Sequence, residues 1–415
     1  MFTFEEIALQ AGKKVRVEGF VATTRIQSKM AFVILQSGAS KVQVVSSGAA
    51  REQAKALMQH AYAAVEGIVV ASAQAPGGFE IQAESIELLS PTIQWPISAG
   101  SEIGTRLAWP VARFRERKEA LALIVQSEIE MEMTSYLRSQ GFIGIHSPKL
   151  MGAPSESGSE VFEVKYFGER AYLAQSPQIY KQIAIMAGLG KIYEVGPVFR
   201  AEPSFSSRHA TEFISFDVEL EGVKSEVEII QLECAMIIAA LQQVITRMGP
   251  ELASHYSKAT VPAACHILEF AQAQALLGVS GDESLSAEEE RKLGAMMQEQ
   301  GHELVALTRV PWKQRPFYHM REGESLTRSF ELLYRGVEIT TGAIREHRYD
   351  VLMAQLAEKG LTGKGLEFYL ESFKLAAPPH GGFGLGLARL TALFLGLPGI
   401  KEATFIHRGP GRLSP

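Results

Sequence analysis

The residues best suited to chemistry lie in four segments where polar and charged side chains interrupt strand-like runs. The segments cover residues 172–182, 198–220, 330–347 and 378–390. Clustered cations in a concave site suit a triphosphate, and nearby carboxylates suit Mg²⁺. A single charged residue of this kind is usually a solvated surface charge. The functional interpretation therefore depends on all four segments meeting in one place. The cations are Lys181, Arg200, Arg208, His209, Arg345 and Arg389, and the carboxylates are Glu202, Glu212, Asp217, Glu331 and Glu338.

The elements that must position these residues are of two kinds. The first part of the chain contains five short, β-branched and partly alternating runs, which predict strands. Five such strands favour a small closed barrel of the OB type, with a β-sandwich as the alternative. Farther along, strand-like runs are interrupted by helices without regular βαβ spacing, which indicates an α+β domain with an antiparallel sheet. The five runs are residues 15–24, 31–36, 41–45, 64–71 and 79–88.

Two long helices are predicted in the second part. One spans about residues 119–140 and has an apolar stripe that suits either a core or a dimer interface. The other begins at Ser225, which forms a capping box with Glu228, and is expected to end at Met248, before Gly249. The later Gly-rich run, GGFGLG, is weak evidence for a phosphate loop, because it opens no βαβ unit and lacks the P-loop Lys-Ser/Thr.

Composition limits the class of protein. The length of 415 residues suggests two or three domains, and the formal net charge of −5 excludes nucleic-acid binding through overall charge. The only two cysteines, Cys234 and Cys265, predict neither a disulfide framework nor a cysteine zinc site. The first residues lack the apolar core of a signal peptide, and no apolar run is expected to reach transmembrane length. We therefore expect a cytoplasmic protein without a membrane partner.

The four segments resemble the signature motifs of a known family. Residues 198–220 resemble motif 2 of the class II aminoacyl-tRNA synthetases, and residues 378–390 resemble motif 3. The run GFIGIHSPKL, which contains Pro148, resembles the end of motif 1. The resemblance covers nearly the whole chain. It is closest to subclass IIb, and within it to the compact, archaeal-type aspartyl-tRNA synthetases, which include non-discriminating forms.

The resemblance implies a domain order and a role for each residue. The expected domains are an OB-fold anticodon-binding domain over residues 1–90, a linker over 91–118 and a class II catalytic domain over 119–415, with its antiparallel sheet flanked by helices. The expected catalytic residues are Arg200 and Arg389. ATP is expected to contact Arg200, Glu202, Arg208, His209, Phe213, Glu338 and Arg389. Aspartate is expected to contact Glu156, Ser176, Gln178, Lys181, Asp217 and Arg345. The expected Mg²⁺ ligands are Glu331, Glu338 and Thr341, and the expected tRNA anticodon contacts are Phe32, Gln43 and Glu80.

The implied activity is that of an aspartate–tRNA ligase. A homodimer would use ATP and Mg²⁺ to convert L-aspartate to aspartyl-adenylate and would then transfer the aspartyl group to tRNA-Asp, with tRNA-Asn left open as a second acceptor. The alternatives are an asparaginyl-tRNA synthetase, a paralogue that activates aspartate or asparagine for another acceptor, and a non-catalytic tRNA-binding protein. The chain departs from the family pattern at Ala388, where Glu usually precedes the motif 3 arginine, and at Glu331, where Asp is usual.

Overall fold

The computed structural model describes residues 4–154 and 161–415, and the chain divides into two compact units, residues 1–113 and 114–415. The first unit is a closed barrel with the strand order β1-β2-β3-β5-β4. Its strands are β1 Lys14–Ile26, β2 Met30–Ser37, β3 Ser40–Ser47, β4 Tyr62–Ala71 and β5 Phe79–Ser90. Its helices are α1 Phe4–Ile7, α2 Gly48–Lys55, α3 Ile103–Ala108 and α4 Pro110–Phe114, the last two within the segment expected to be a linker.

Alternation along the strands explains why the barrel closes. In β2, the side chains of Ala31, Val33 and Leu35 have no exposed surface, whereas Phe32 and Ile34 between them are only half-buried. Side chains of successive strand residues point to opposite faces, so the first three fill the interior and the other two lie on the outer face. The prediction of an OB-type barrel is confirmed, and the sandwich alternative is excluded.

The second unit contains the remaining elements and is centred on one large sheet. Its helices are α5 Arg117–Ser139, α6 Gln178–Met186, α7 Glu226–His255, α8 Phe270–Leu277, α9 Ala287–Glu299, α10 Tyr349–Glu358, α11 Glu367–Ser372 and α12 Leu387–Leu395. Its strands are β6 Ile143–Gly144, β7 Leu150–Met151, β8 Glu163–Tyr166, β9 Glu169–Leu173, β10 Lys191–Phe199, β11 Glu212–Glu221, β12 Cys265–Glu269, β13 Leu304–Thr308, β14 Arg321–Glu322, β15 Leu326–Thr327, β16 Ser329–Tyr334, β17 Val337–Ile344 and β18 His380–Gly386.

The large sheet has eight strands in the order β12-β13-β16-β17-β18-β11-β10-β6. Its six central strands, from β13 to β10, pair antiparallel, whereas β12 pairs parallel with β13 and β6 pairs parallel with β10. Helices separate the two strands of each parallel pair along the chain, and a parallel pairing requires such a long crossover. The predicted α+β class is therefore confirmed, with parallel pairings added at both edges of the sheet.

The two long helices pack on this sheet. The apolar stripe of α5, which includes Val125, Ile129 and Met133, is fully buried in the core that α5 shares with α7 and α12. The predicted stripe is therefore core, and it is not available as a dimer interface. Helix α7 begins at the predicted N-cap, because the Ser225 hydroxyl accepts a hydrogen bond from the Val227 backbone N–H at 3.1 Å. Glu228 does not close the predicted capping box but accepts from the Lys224 backbone N–H at 3.3 Å.

The predicted end of α7 was wrong. The helix continues through Gly249 and Pro250 to His255, because its last turn still has an apolar anchor: Leu252 is fully buried in the core. The expectation that no apolar segment reaches transmembrane length was also wrong. Helix α7 is long enough and apolar enough to cross a membrane, since an 18-residue window in it has a mean hydropathy of 1.6. Half of that window is buried, as expected for a helix that packs on a sheet in a protein core.

Strand β18 allows the centre of the sheet to carry polar groups. Gly382, Gly384 and Gly386 lie opposite Glu219, Asp217 and Ser215 of β11. Phe383 and Leu385, which point to the other face, are fully buried in the core. Since this face of β18 carries no side chain from Gly382 to Gly386, the polar residues of β11 can extend over it. The Gly-rich run therefore acts as a flat strand rather than as a phosphate loop.

We expect Gly382→Ala to destabilise the protein. An added Cβ would lie 2.0 Å from the Val218 carbonyl oxygen and 2.8 Å from the Glu219 Cα, so β11 would have to move. Overpacking of this kind costs about 1–3 kcal/mol, which urea unfolding would measure. Gly104→Ala is the control, because a Cβ there has no atom within 4 Å. Equal midpoints for the two variants would contradict this role of the glycine.

Candidate active site

One cavity of about 610 Å³ lies over the centre of the large sheet. Its volume is in the range of small-molecule sites in proteins, roughly 300–1,000 Å³. All four polar segments contribute to it, so the structure brings together most of the residues that the sequence singled out. The predicted residues that line it are Ser176, Gln178, Arg200, Glu202, Arg208, His209, Phe213, Asp217, Glu338, Thr341, Arg345 and Arg389.

Arginines and one aromatic ring surround one end of the cavity. The Arg200 guanidinium lies 5.5 Å from the centre of the Phe213 ring, within cation–π distance. Arg389, at the start of α12, donates to the backbone carbonyls of Glu338 at 2.6 Å and of Arg208 at 3.0 Å. These contacts hold the Arg389 side chain against both the loop after β10 and strand β17. The geometry suits a planar base and an anionic chain.

Three arginines lie close to His209 at this end. Burial lowers the pKa of His209, and the nearby charge of Arg389 lowers it further; Glu202 raises it by more than either Arg208 or Arg200 lowers it. Burial likewise lowers the pKa of Arg389. The Nδ1 atom of His209 is within hydrogen-bond distance of two serine hydroxyls of its own loop, Ser204 and Ser206. An anion would relieve the repulsion among these cations.

A carboxylate that sequence reasoning missed lies beside these arginines. Glu290, in the first turn of α9, accepts hydrogen bonds from both terminal nitrogens of Arg208 and from the Glu338 backbone N–H at 3.0 Å. Its side chain is buried and lines the cavity. In the sequence, Glu290 stands in the run AEEER, which looks like an ordinary charged helix start. The helical spacing could have distinguished it from its exposed neighbour Glu288, because Glu290 lies three and seven residues before the buried Leu293 and Met297.

Two cations lie at the other end of the site, but only one lines the cavity. Lys181 is 1% exposed and lies beneath the cavity surface. Its ammonium donates to the Asp217 carboxylate at 2.9 Å and to the Phe383 carbonyl at 3.0 Å, and it lies 3.4 Å from Glu219. The structure thus contains the predicted Lys181–Asp217 contact. Direct contact between Lys181 and a substrate stays a prediction.

Arg345 lines the cavity and forms a buried bidentate ion pair that was not anticipated. Its Nε and one terminal nitrogen donate to the two oxygens of Glu219 at 2.8 and 3.1 Å. Its other terminal nitrogen lies 3.1 Å from the Nε2 atom of His319. Although burial disfavours the charged form of Glu219, Arg345 and Lys181 together hold its pKa below the usual range. Glu219 lies two residues after Asp217 on β11, so strand alternation could have identified it.

His319 is a second unanticipated residue at this end. Burial lowers its pKa well below the usual range, and the charges of Arg345 and Arg315 contribute to the shift. Because a guanidinium can only donate, Nε2 of the neutral ring must accept from Arg345, which places the proton on Nδ1. Among the described residues, Nδ1 has no hydrogen-bond partner. The sequence signal was the unassigned run KQRPFYHM, which has three basic residues.

The predicted metal positions fit a cation only in part. Glu338 and Thr341 line the cavity, and the Thr341 hydroxyl donates to Glu338 at 2.5 Å. Their oxygens are suitable donors for a hard divalent ion. Glu331 lies outside the cavity lining, where it forms a buried ion pair with Arg315 and accepts from the Ser284 hydroxyl at 3.2 Å. Among the described residues, no group of three or more His, Cys, Asp or Glu side chains is arranged to hold a metal.

Two residues predicted near the α-amino and α-carboxylate groups lie at the start of α6. The Ser176 hydroxyl accepts from the Gln178 backbone N–H at 3.2 Å. The side-chain nitrogen of Gln178 is buried and has no hydrogen-bond partner among the described residues, which suits a site completed by a polar ligand. Glu156, the other predicted contact for the amino group, lies outside the described residues.

The three predicted anticodon residues share one outer face of the barrel. Gln43 on β3 lies opposite Glu80 on β5 and donates to it at 2.9 Å. Phe32 on β2 lies opposite Val45 of β3, two residues from Gln43, so its half-buried ring is on the outer face. The barrel core, the main structural alternative for Phe32, is therefore excluded. A role in tRNA binding stays a prediction.

Comparison with known proteins decides the family. Residues 102–407 match the family described as "tRNA synthetases class II (D, K and N)". The chain belongs to the class II aminoacyl-tRNA synthetases. Residues 15–89 of this synthetase match the OB-fold nucleic acid binding domain family, which agrees with the closed barrel. The predicted family and enzyme class are therefore confirmed.

Full-length relatives have the same organisation as this class II synthetase. It is 37% identical to the "Aspartate--tRNA(Asp/Asn) ligase" of Thermus thermophilus, with 99% of each chain covered. It is 34% identical to the "Aspartate--tRNA(Asp) ligase" of Pyrococcus furiosus, with 97% of each chain covered. Among solved structures, asparaginyl-tRNA synthetase from Pyrococcus horikoshii complexed with asparaginyl-adenylate has a TM-score of 0.92 at 28% identity, covering 98% of this chain and 97% of that chain.

The Arg345–Glu219 pair predicts a pH-dependent stability defect in this synthetase. Because the folded-state pKa of Glu219 is lowered, the pair stabilises the wild type above the unfolded pKa, and this stabilisation is lost on acidification. In Arg345→Leu, burial dominates and raises the pKa, so stability is lost as the pH rises. We expect the difference in unfolding free energy to widen by at least about 1 kcal/mol between about pH 5 and about pH 8.

Urea unfolding at the two pH values measures this difference. The control is Arg345→Leu combined with Glu219→Gln, which removes the titrating carboxyl and should abolish the widening. A difference between Arg345→Leu and wild type that is the same at both pH values would contradict the assigned pairing.

Proposed function

We propose that this synthetase activates L-aspartate with ATP and transfers the aspartyl group to tRNA-Asp. The observation that carries the proposal is that a single cavity has an arginine-rich end beside Phe213 and a second, buried charge cluster around Arg345. The first end suits ATP, and the second suits an amino acid with a polar side chain. Supporting this, relatives named as aspartate–tRNA ligases align over nearly the whole chain.

The proposed first step forms a mixed anhydride. An oxygen of the aspartate α-carboxylate attacks the α-phosphorus of ATP, the bond to the bridging oxygen breaks, and pyrophosphate leaves. Arg200 is proposed to stabilise the charge that develops on the α-phosphate, with the adenine placed between Phe213 and Arg389. Preorganised guanidinium groups are effective because they require no rearrangement as charge develops. The terminal ribose hydroxyl of tRNA would then attack the carbonyl carbon and release AMP.

Mg²⁺ is proposed to enter with ATP and to neutralise charge on its phosphates. Glu338 and Thr341 would hold it, because their oxygens line the cavity next to Arg389. Glu331 would support this site indirectly, through Arg315.

We also assign the protein to the cytoplasm, the compartment in which translation enzymes act on tRNA.

Aspartate is preferred over asparagine because Arg345 and His319 offer hydrogen-bond donors at the amino-acid end. Arg345 lines the cavity, and the neutral His319 carries its proton on Nδ1. A carboxylate offers only acceptors, whereas the amide nitrogen of asparagine is a donor. Asparagine is the second candidate, because Glu219 already neutralises Arg345 and the fold is similar to that of an asparaginyl-tRNA synthetase.

Pyrophosphate exchange tests the assignment of the amino acid. We expect ATP–pyrophosphate exchange with aspartate to exceed exchange with asparagine by at least about 10³-fold in kcat/KM, since a site built to bind a polar group rejects its isostere by such factors. The opposite preference would identify an asparaginyl enzyme. If neither amino acid supports exchange, the proposed activity is wrong.

Substitutions of the barrel residues test whether tRNA charging can be impaired without impairing amino-acid activation. We expect Phe32→Ala and Gln43→Ala to lower kcat/KM for tRNA-Asp charging by about tenfold or more, since stacking on one base contributes about 1–3 kcal/mol. Aspartate-dependent pyrophosphate exchange should remain at the wild-type level. Ile34→Ala, on the same outer face of β2, is the matched control. Equal losses of both activities would show that Phe32 and Gln43 act structurally.

We also propose that the synthetase is a homodimer. Since the apolar stripe of α5 is part of the core, the dimer interface would use another face of α5, together with the edge strand β6. Ile124 and Met131 lie seven residues apart on one face of α5 and are 37% and 44% exposed, and Ile143 of the edge strand β6 is 49% exposed. Sedimentation equilibrium should give twice the chain mass, and Ile143→Asp should shift the species toward monomer. A monomeric wild type at micromolar concentration would contradict the dimer.

A further inference from the structure

Glu290 forms an ion pair with Arg208, the arginine that is proposed to bind the outer phosphates of ATP. Both terminal nitrogens of Arg208 face the Glu290 carboxylate, with one pair at 3.4 Å and the other in closer contact. Both side chains are largely buried, with 18% and 10% of their surface exposed. A partly buried, bidentate pair of this kind is stronger than a solvated surface pair. In the described conformation, a protein carboxylate therefore occupies the phosphate-binding side of Arg208.

The position of Glu290 is fixed by the backbone of its own helix. An added Cβ on Gly294 would lie 2.2 Å from the Gly336 Cα, and one on Gly336 would lie 2.8 Å from the Glu290 carbonyl oxygen. Helix α9 thus packs directly on the turn between β16 and β17. The Ser286 capping box, in which Ser286 and Glu289 hydrogen-bond each other's backbone N–H, fixes the start of the helix. Such close contact leaves α9 little freedom to shift at Glu290.

The same carboxylate is tied to the strand beneath the cavity. Glu290 accepts a hydrogen bond from the Glu338 backbone N–H at 3.0 Å. Arg389 in turn donates to the carbonyls of Glu338 and Arg208. The loop residue Arg208 is therefore held at its side chain by Glu290 and at its backbone by Arg389. The acceptor that a triphosphate can replace is the Glu290 carboxylate on the Arg208 side chain.

We propose that Glu290 is a positioning residue that acts as a phosphate surrogate for Arg208 and that ATP displaces. This inference depends on the proposed function, in which Arg208 binds the outer phosphates. A triphosphate carries several negative charges, so Arg208 exchanges its single carboxylate partner for a stronger one. The exchange makes Arg208 available only when the outer phosphates are present. Glu290 consequently lowers the affinity for ATP while holding the guanidinium at the cavity in the absence of nucleotide.

Glu290→Gln separates this competition from a structural role. The Gln side-chain oxygen can still accept from the Glu338 backbone N–H, but the charge that holds Arg208 is lost. We expect calorimetry without amino acid to show ATP binding tightened by about tenfold, equal to about 1.4 kcal/mol. Binding of AMP, which lacks the outer phosphates, should change by less than about twofold. The matched control is Glu288→Gln, which removes the same charge from an exposed residue in the same turn.

Each outcome of this experiment decides the proposal. Unchanged or weaker ATP binding by Glu290→Gln would overturn it, and weaker binding would mean that Glu290 contributes to nucleotide binding. Parallel changes for ATP and AMP would also overturn it, because they indicate a general disturbance of the site. In an Arg208→Gln background, Glu290→Gln should no longer affect ATP affinity. If Arg208→Gln alone leaves ATP binding unchanged relative to AMP, the proposed phosphate role of Arg208 fails instead.

Discussion

The active-site architecture depends on the burial of four charges at the centre of one sheet. Lys181 and Arg345 are paired there with Asp217 and Glu219, and every one of these residues is less than 5% exposed. An isolated buried charge is strongly unfavourable, so each of the four needs its partners in place. The strands and helices that carry them must therefore assemble together. The cluster is electrically balanced, which explains how a polar pocket can exist in the interior of a stable domain.

The flat strand β18 makes this arrangement sterically feasible. Asp217 and Glu219 extend from β11 over Gly384 and Gly382, where any side chain would collide with them. On the opposite face, Phe383 contributes to the apolar core beneath α7. From Gly382 to Gly386, this strand thus carries no side chain on its polar face and only apolar side chains on the other. The charge cluster and the hydrophobic core therefore lie on opposite faces of the same strand and stay separate from each other.

Three arginines of the cavity share one feature, which is that protein acceptors bind their guanidinium groups. Arg345 is bound by Glu219, Arg208 by Glu290, and Arg389 by backbone carbonyls. Such pairing orients each guanidinium before substrate arrives, which lowers the entropic cost of binding. It also means that ligands compete with internal partners. Substrate selectivity in such a site reflects the exchange of partners as much as the shape of the pocket.

The sequence alone determined the barrel, the family motifs and most residues that line the cavity. Strand alternation identified the barrel strands because it depends only on neighbouring residues. Local signals were less reliable at α7, where Gly249 predicted an end that the burial of Leu252 overrides. Local capping chemistry is worth about 1 kcal/mol, whereas burial of a leucine side chain is worth about 1.5–3 kcal/mol.

Only the tertiary structure decided which charges are paired. Glu290 is about eighty residues from Arg208, and Glu219 is more than a hundred from Arg345. No periodicity in the sequence relates such distant positions. The structure also placed Lys181 beneath the cavity, because Asp217 and the Phe383 carbonyl bind its ammonium there. Residue types and local spacing therefore predicted which groups form the site, whereas the burial and partner of each charge were set by how the strands and α9 pack together.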